Sequence, residues 1–441
     1  MSRGIFRMIL VLYLIVRWIL GTDPGYVYDT QAYKRWAIGA ARHGLPAVYE
    51  EVDFDYPPLH AYILYPLGKL YLSLAPDAPP GMIPDSGVLT LMIKTPPLIF
   101  DLLLAFLLYR LVTRRKLWGA RRAGPSAGRW AALLYLWNPV VLLDSGYWGQ
   151  VDSIHSALIV ASLMALGGSA LAGSGGLLGL AGMMKPLAAP FAPLVAVAAA
   201  ARARWRGLAA AFLAGVVTVL AVLLPFLMTG RAKSIIQHLI YDVDLMPYTS
   251  VNGHNLWWFI GPWEDANRSL LGPITPIRLG LGLFAVILIA FLVRAWRPLQ
   301  RARNAASLTD VTLKLGLVIA AAFFYFSTHM HENHMFLAVP LSLALAGRSR
   351  RWTWIAVTTT VAVFFNVLLH DIELMRQAPF TWGGPSPIMN LHLDRPFAWT
   401  ELVATYIDAV LVTIAVGWIL WEVWRDLGRR LTSSSGPAAR P

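Results

Sequence analysis

The 441-residue sequence contains no cysteine, so neither disulfides nor thiolate metal sites contribute to its fold. Charge is scarce too: Asp, Glu, Lys and Arg make up 14% of the chain, against about 25% in ordinary soluble domains. No stretch is long and polar enough to form a separate soluble domain, and no internal repeat is found. Neither GxGxxG nor a phosphate-loop sequence occurs, so no soluble nucleotide-binding domain is expected. What is present is apolar: 57% hydrophobic residues, a mean hydropathy of +0.56, and long apolar runs from end to end. Such a chain is expected to be an all-α polytopic membrane protein. Its net charge of +13 does not point to nucleic acid, because it is divided among short clusters between apolar runs.

Six clusters carry most of the basic residues. They are Arg3 and Arg7; seven residues without an acid in 110–129; Arg202, Arg204 and Arg206; four arginines in 294–303; three in 348–351; and four in 425–441. The positive-inside rule places all six in the cytoplasm. The long loops 21–87, 229–275 and 370–399 hold 9 basic and 15 acidic residues and are expected outside. Residues 57–75 are apolar enough to span, but spanning would reverse this arrangement, and Pro66 and Lys69 interrupt them. They are read as an interfacial helix in the long first external loop.

About twelve transmembrane segments then fit: 5–20, 88–112, 130–145, 153–169, 174–184, 187–201, 207–228, 276–295, 311–327, 333–347, 351–369 and 400–424. The first resembles a secretory signal, but no small-residue cleavage site follows, so it is read as a retained helix. Residues 1–424 form one transmembrane domain, both termini are cytoplasmic, and 425–441 form a cytoplasmic tail. Segment 174–184 is too short to cross a core of about 30 Å. It is expected to pair with 187–201 as a hairpin turning at "MMKP" (183–186).

With this topology the unusual polar stretches all fall on the external side. They are "VYDTQAYKRW" (27–36), "DFDYPPLHAY" (53–62), "GYWGQVDSIH" (146–155), "MMKP", "SVNGHNLWWF" (250–259) and "HMHENH" (329–334). Each has a plain structural reading. Asp29 starts a helix and would serve there as a cap or dipole partner. Asp55 and Tyr56 precede two prolines, as in an ordinary turn. Asp152 would cap the helix beginning at Ser153, and Gly146 and Gly149 suggest a tight loop. Tyr147 and Trp148 suit an aromatic belt. Lys94 and Asp101, two turns apart, are expected to pair with each other.

Lys185 is different: an apolar surrounding, a proline break and no acid nearby in sequence make it a functional candidate. For "HMHENH" three readings stand: an anion grip, a metal site, or polarity at a membrane edge. The spacing is not HExxH, and the absence of cysteine argues against structural zinc. Histidines and the free N–H groups of a following helix suit a phosphate.

Taken together, "YDTQAYKRWA", "DYPPL", "LLYLWNPVVLLDSGYWGQVDS", "MMKP", "NGHNLWW" and "HMHEN" resemble the GT-C superfamily of membrane glycosyltransferases, over roughly residues 25–340 and in family order. The chain looks like bacterial relatives of the second mannosyltransferase of GPI-anchor synthesis. It is also similar to dolichyl-phosphate-glucose-dependent glucosyltransferases.

The resemblance implies an inverting transfer of a hexose, mannose or glucose, from a polyprenyl-phosphate donor to a hydroxyl of a glycolipid or lipid-linked glycan. It assigns Asp29 as general base and places His331, with His329 and His334, near the donor phosphate. Lys185 matches a basic or amide-rich break in the same region. Where the eukaryotic motif reads HEK, this chain has HEN, so Asn333 removes one cation. Asp55, Tyr56, Trp148, Gln150, Asp152, Asn252, Asn255 and Glu332 are candidate substrate binders, with Asp55 and Asp152 as second candidates for the base. Trp257 and Trp258 offer further stacking faces.

No cofactor is expected and no metal ligand is assigned, although Asp29 and Asp152 suit a divalent ion. The expected partners are the lipid-phosphate donor, the acceptor and membrane lipid, with no nucleic acid. The Arg/Ala/Gly-rich composition suggests a bacterial inner membrane, with the site facing outward. Two other functions fit the segment pattern: a secondary transporter or flippase, and a protein or oligosaccharide glycosyltransferase of the same fold.

Overall fold

The computed structural model describes residues 1–52, 54–76, 87–119, 124–377 and 397–432. Among these residues the protein is helical and has no strand. Its helices are α1 (Arg3–Thr22), α2 (Val27–His43), α3 (Val48–Glu51), α4 (Pro58–Leu74), α5 (Gly87–Thr113), α6 (Pro125–Leu136) and α7 (Pro139–Val141). There follow α8 (Asp152–Gly167), α9 (Leu171–Gly182), α10 (Ala192–Met228), α11 (Ala232–Leu245) and α12 (Leu256–Ile260). The last five are α13 (Pro276–Arg301), α14 (Ala305–Phe326), α15 (Ala338–Ala346), α16 (Arg350–Gln377) and α17 (Phe397–Thr432).

Seven stretches are long and apolar enough to cross a membrane: α1, α5, Pro186–Met228, α13, α14, Arg350–Leu369 and Val403–Arg429. These cover eight of the twelve expected segments, because Pro186–Met228 contains two of them. Its helix breaks at Ala203 and Arg204, where φ is −140° and 52°, inside the Arg202–Arg206 cluster. The other four, near 130–145, 153–169, 174–184 and 333–347, are shorter or broken helices. Most of the expected loop 370–399, namely 378–396, lies outside the described residues, as do 433–441 of the expected tail.

Local chemistry sets the helix ends. Ser2 caps α1 by accepting from the Ile5 N–H, and Asn304 and Ser307 cap α14 reciprocally. Two cores result. The larger joins α1, α5–α10 and α13–α17, with α14 the most enclosed of the stretches long enough to span. Gly175 and Gly179 of α9 meet Ala211 and Gly215 of α10 backbone to backbone, the small-residue contact that membrane helices use. The smaller core is aromatic. Tyr33 and Trp36 of α2, Tyr49 of α3, Phe54 and the α4 face pack against α5 and against Phe226 and Ile235. The apolar segment 57–75 is thus α4, packed along α2 rather than counted among the seven spanning stretches.

The basic clusters meet at one end of the bundle. Arg129 donates to the Met1 carbonyl, Arg202 to the carbonyl of Ala302, and Arg348 and Lys314 reach Asp310. The polar motifs gather at the opposite end.

Candidate active site

Asp29 lies in the first turn of α2. Its Oδ2 accepts from the Trp148 indole N–H at 2.9 Å and from the Gln150 amide at 2.5 Å. Both donors come from "GYWGQ", whose shape has three local causes. Residues Leu142–Trp148 form a π-helical turn, which widens the helix. Gly149 ends it at φ 91°, a left-handed conformation that glycine adopts without strain. The Asp144 carbonyl then accepts from the N–H groups of both Gly149 and Gln150.

Lys94 supports this turn. Its ammonium donates to the carbonyls of Tyr147, Asp23 and Leu20 at 2.5, 2.7 and 3.2 Å. The expected Lys94–Asp101 pair is not formed. Asp101 instead pairs with Arg17 of α1 at 2.7 Å and accepts from Ser145 and Tyr135. Both Lys94 and Asp101 find partners on other elements, Lys94 where α1 ends beside the turn, Asp101 deeper in the bundle.

Gln150 is a hub. While its amide holds Asp29, its carbonyl accepts from Tyr33 at 3.2 Å and Tyr56 at 3.5 Å. Tyr56, from "DYPP", carries Lys185 over its ring at 5.8 Å from the centroid. Asp55, its neighbour, is exposed. The Leu59 N–H donates to the Met183 carbonyl at 2.9 Å and so locks "DYPPL" to "MMKP".

Lys185 is buried, and its ammonium meets both Asp152 oxygens at 2.9 and 3.0 Å. Asp152 therefore is a counter-ion rather than a cap. The Asn333 amide also donates to it, at 2.9 Å. Asn333 thus supports the counter-ion of Lys185.

The histidine turn is held by the loop that follows α11. Val251 and Gly253 donate their N–H groups to the Met330 carbonyl, and His329 donates to Tyr248. A side chain at Gly253 would lie 2.7 Å from that carbonyl, so only glycine permits the approach. Asn252 and His329, one on each side of this junction's backbone bonds, are both in left-handed conformations, φ 61° each, an unusual state for residues other than glycine. Asn255, expected to bind substrate, is placed differently. Its amide donates to the Phe324 and Ser327 carbonyls, and its oxygen caps α12. Trp257 is fully buried, with its N–H on the Phe326 carbonyl. Trp258 is buried against His254, which bonds Asp408 of α17 at 2.7 Å. Asn252 accepts from Trp263 at 3.1 Å.

The charges differ across the site. Burial pushes the Asp29 carboxyl up to about 6, against the pull of Trp148, Lys185 and Gln150. Burial and the Asp29 carboxylate push Glu332 up to about 8, so it is neutral at pH 7. Burial, with Lys185 and His329, lowers His331 to about 4. Burial disfavours the Lys185 ammonium, but Asp152 and its neighbours hold it above the ordinary lysine value. His331 and His334 are therefore neutral and share the surroundings of the Lys185 cation, which also acts on Asp29. Among the described residues no group of three metal-ligating side chains is assembled.

The structure thus joins Asp29, Tyr56, Trp148, Gln150, Asp152 and Lys185 in one network, with Asn333 completing it from the histidine turn. Tyr33 and Asn333 were not expected to bond there. Tyr33 follows Asp29 by one helical turn, and that spacing was the available signal.

No curated protein matches the sequence. The family model of glycosyltransferase family 87 matches residues 54–321, more than half of the chain. The matched part contains Tyr56, Gln150, Asp152 and Lys185, while Asp29 and the histidine turn lie outside it. The chain belongs to glycosyltransferase family 87.

Proposed function

We propose that the protein transfers a hexose, mannose or glucose, from a polyprenyl-phosphate donor to a hydroxyl of a membrane glycolipid or lipid-linked glycan, with inversion. Family membership supports group transfer over transport or lipid flipping. The observation that carries the reading is the pairing of unlike groups through Gln150 and Tyr56: a partly exposed carboxylate held by neutral donors, and a buried ammonium. Asp29 takes the proton of the acceptor hydroxyl, whose oxygen forms a bond to the anomeric carbon. The bond from that carbon to the phosphate oxygen breaks, and its electron pair leaves with the lipid phosphate. Lys185 and the histidines His329, His331 and His334 stabilise the growing negative charge. Asp55, Tyr56, Trp148, Gln150, Asp152, Asn252 and Glu332 line or support the places of the sugar and acceptor.

The positive-inside rule puts the basic end in the cytoplasm and this site at the outer face of a bacterial inner membrane, with both termini cytoplasmic. A lipid donor reaches such a site sideways from the bilayer.

The test is sugar transfer by the purified protein in detergent. Polyprenyl-phosphate mannose and polyprenyl-phosphate glucose would be offered with a membrane glycolipid extract, with and without EDTA. Transfer that is lost in Asp29→Asn is expected. Transfer that requires a divalent metal would favour an oligosaccharide or protein glycosyltransferase using Asp29 and Asp152. Wild-type rates in Asp29→Asn would remove the assigned base.

A further inference from the structure

His155 is a buried polar residue without a part in the network above. It stands on α8 one turn after Asp152 and is 3% exposed. Its Nε2 has no hydrogen-bond partner among the described residues. Buried polar atoms are nearly always bonded, so one that is not points to a ligand atom. His155 lines a narrow cavity with Asp152 and His334, against an apolar wall that includes Leu187, Phe191 and Phe323.

The size of this cavity limits its occupant. It has room for about one water, too little for a sugar ring or an isoprene unit but enough for one phosphate oxygen. Its polar side is built to donate. The Nδ1 of His334 accepts the His331 N–H at 3.1 Å, so the neutral ring carries its proton on Nε2. The Asp152 carboxylate would repel an anion, but Lys185 at 2.9 and 3.0 Å and Asn333 at 2.9 Å offset its charge. The apolar wall lowers the local dielectric, which strengthens any hydrogen bond made inside.

We infer that His155 is a further catalytic residue: with His334 it forms a socket for one non-bridging oxygen of the donor's phosphate. The inference rests on the lipid-phosphate reading of the donor. As the sugar–phosphate bond breaks, the electron pair stays on the phosphate and the acceptor's proton goes to Asp29. The phosphate changes from a monoanion to a dianion, and the N–H groups in the socket meet the added charge. Because the socket takes one oxygen, it distinguishes the two non-bridging positions.

The experiment uses phosphorothioate donors, in which sulfur replaces one non-bridging oxygen. The two phosphorus diastereomers and the natural donor are compared in wild type, His155→Ala and His155→Gln. Sulfur is too large for the socket, so wild type should use one diastereomer roughly tenfold or more faster than the other. His155→Ala should lose about 100-fold with the natural donor, and its diastereomer ratio should approach one. His155→Gln, which keeps an N–H donor, should recover part of both. Equal use of the diastereomers by wild type overturns the inference alone, as does a folded His155→Ala with unchanged rate and ratio. If His155→Ala does not fold, the wild-type ratio and His155→Gln decide. No transfer by wild type from any lipid-phosphate sugar overturns the donor reading and this inference with it.

Discussion

Asp29 and Asp152 lie in one network but are held in opposite ways. Neutral N–H donors from Trp148 and Gln150 hold Asp29, which is only partly buried. A buried ammonium grips both oxygens of Asp152, and Asn333 adds a third bond. The first arrangement leaves a carboxylate able to take a proton near neutral pH. The second makes the carboxylate a counter-ion, because a proton on Asp152 would leave Lys185 buried and uncompensated. Under the proposed mechanism, two acids that look alike in sequence take different tasks, base and charge support.

The largest effect should follow from breaking the base. Asp29→Asn is expected to lower kcat by about 10³-fold, within the usual range for a general base, with donor binding little changed. Single-turnover rates at saturating donor check this. Breaking the other side should come next. Lys185→Met is expected to cost about 10²-fold in kcat. It should also lower the thermal midpoint, because Asp152 is left buried without its partner. Adding Asp152→Leu should recover stability but not rate, and thermal unfolding beside transfer assays separates the two.

A smaller change sharpens the contrast. Gln150→Leu removes the 2.5 Å bond to Asp29, which favours the carboxylate. The acid limb of kcat/KM, expected near pH 6 in wild type because activity needs ionised Asp29, should move upward. A rate loss of about tenfold at pH 7 should accompany it, since one hydrogen bond to a charged group contributes roughly 1.5–3 kcal/mol. Glu332 should give the mildest effect at neutral pH. It is neutral below about 8, so Glu332→Gln should change the rate at pH 7 only slightly. Above pH 8 wild type should lose activity as a second carboxylate forms beside Asp29, and Glu332→Gln should not. A pH–rate series on both proteins tests this.

Part of this was legible in the sequence where the cost of burying charge is high. Lys185 between apolar segments stood out on that ground, whereas Asp29 read as a helix cap and was singled out by the family resemblance; the structure brings both into one hydrogen-bonded network. The helical class followed from hydropathy alone. Hydropathy does not fix the number of crossings, because short helices such as α8 and α15 are enclosed by neighbours and need not match the bilayer in length. Partner choice was least legible. Lys94 and Asp101 satisfy helical spacing, yet each bonds other elements, and the Asn333–Asp152 and Arg17–Asp101 bonds join residues 181 and 84 apart. Spacing on one helix carries no information about which helix will lie alongside. Asn255 reads as a polar residue in a candidate motif, but the open helix ends beside it claim its amide.

The most direct test of the difference between the two acids is the pH dependence of kcat/KM in Asp152→Asn beside wild type and Asp29→Asn. The account predicts that Asp152→Asn is slowed but keeps an acid limb near pH 6, and that the residual activity of Asp29→Asn has none. A limb that vanishes in Asp152→Asn and persists in Asp29→Asn would contradict it and move the base to Asp152.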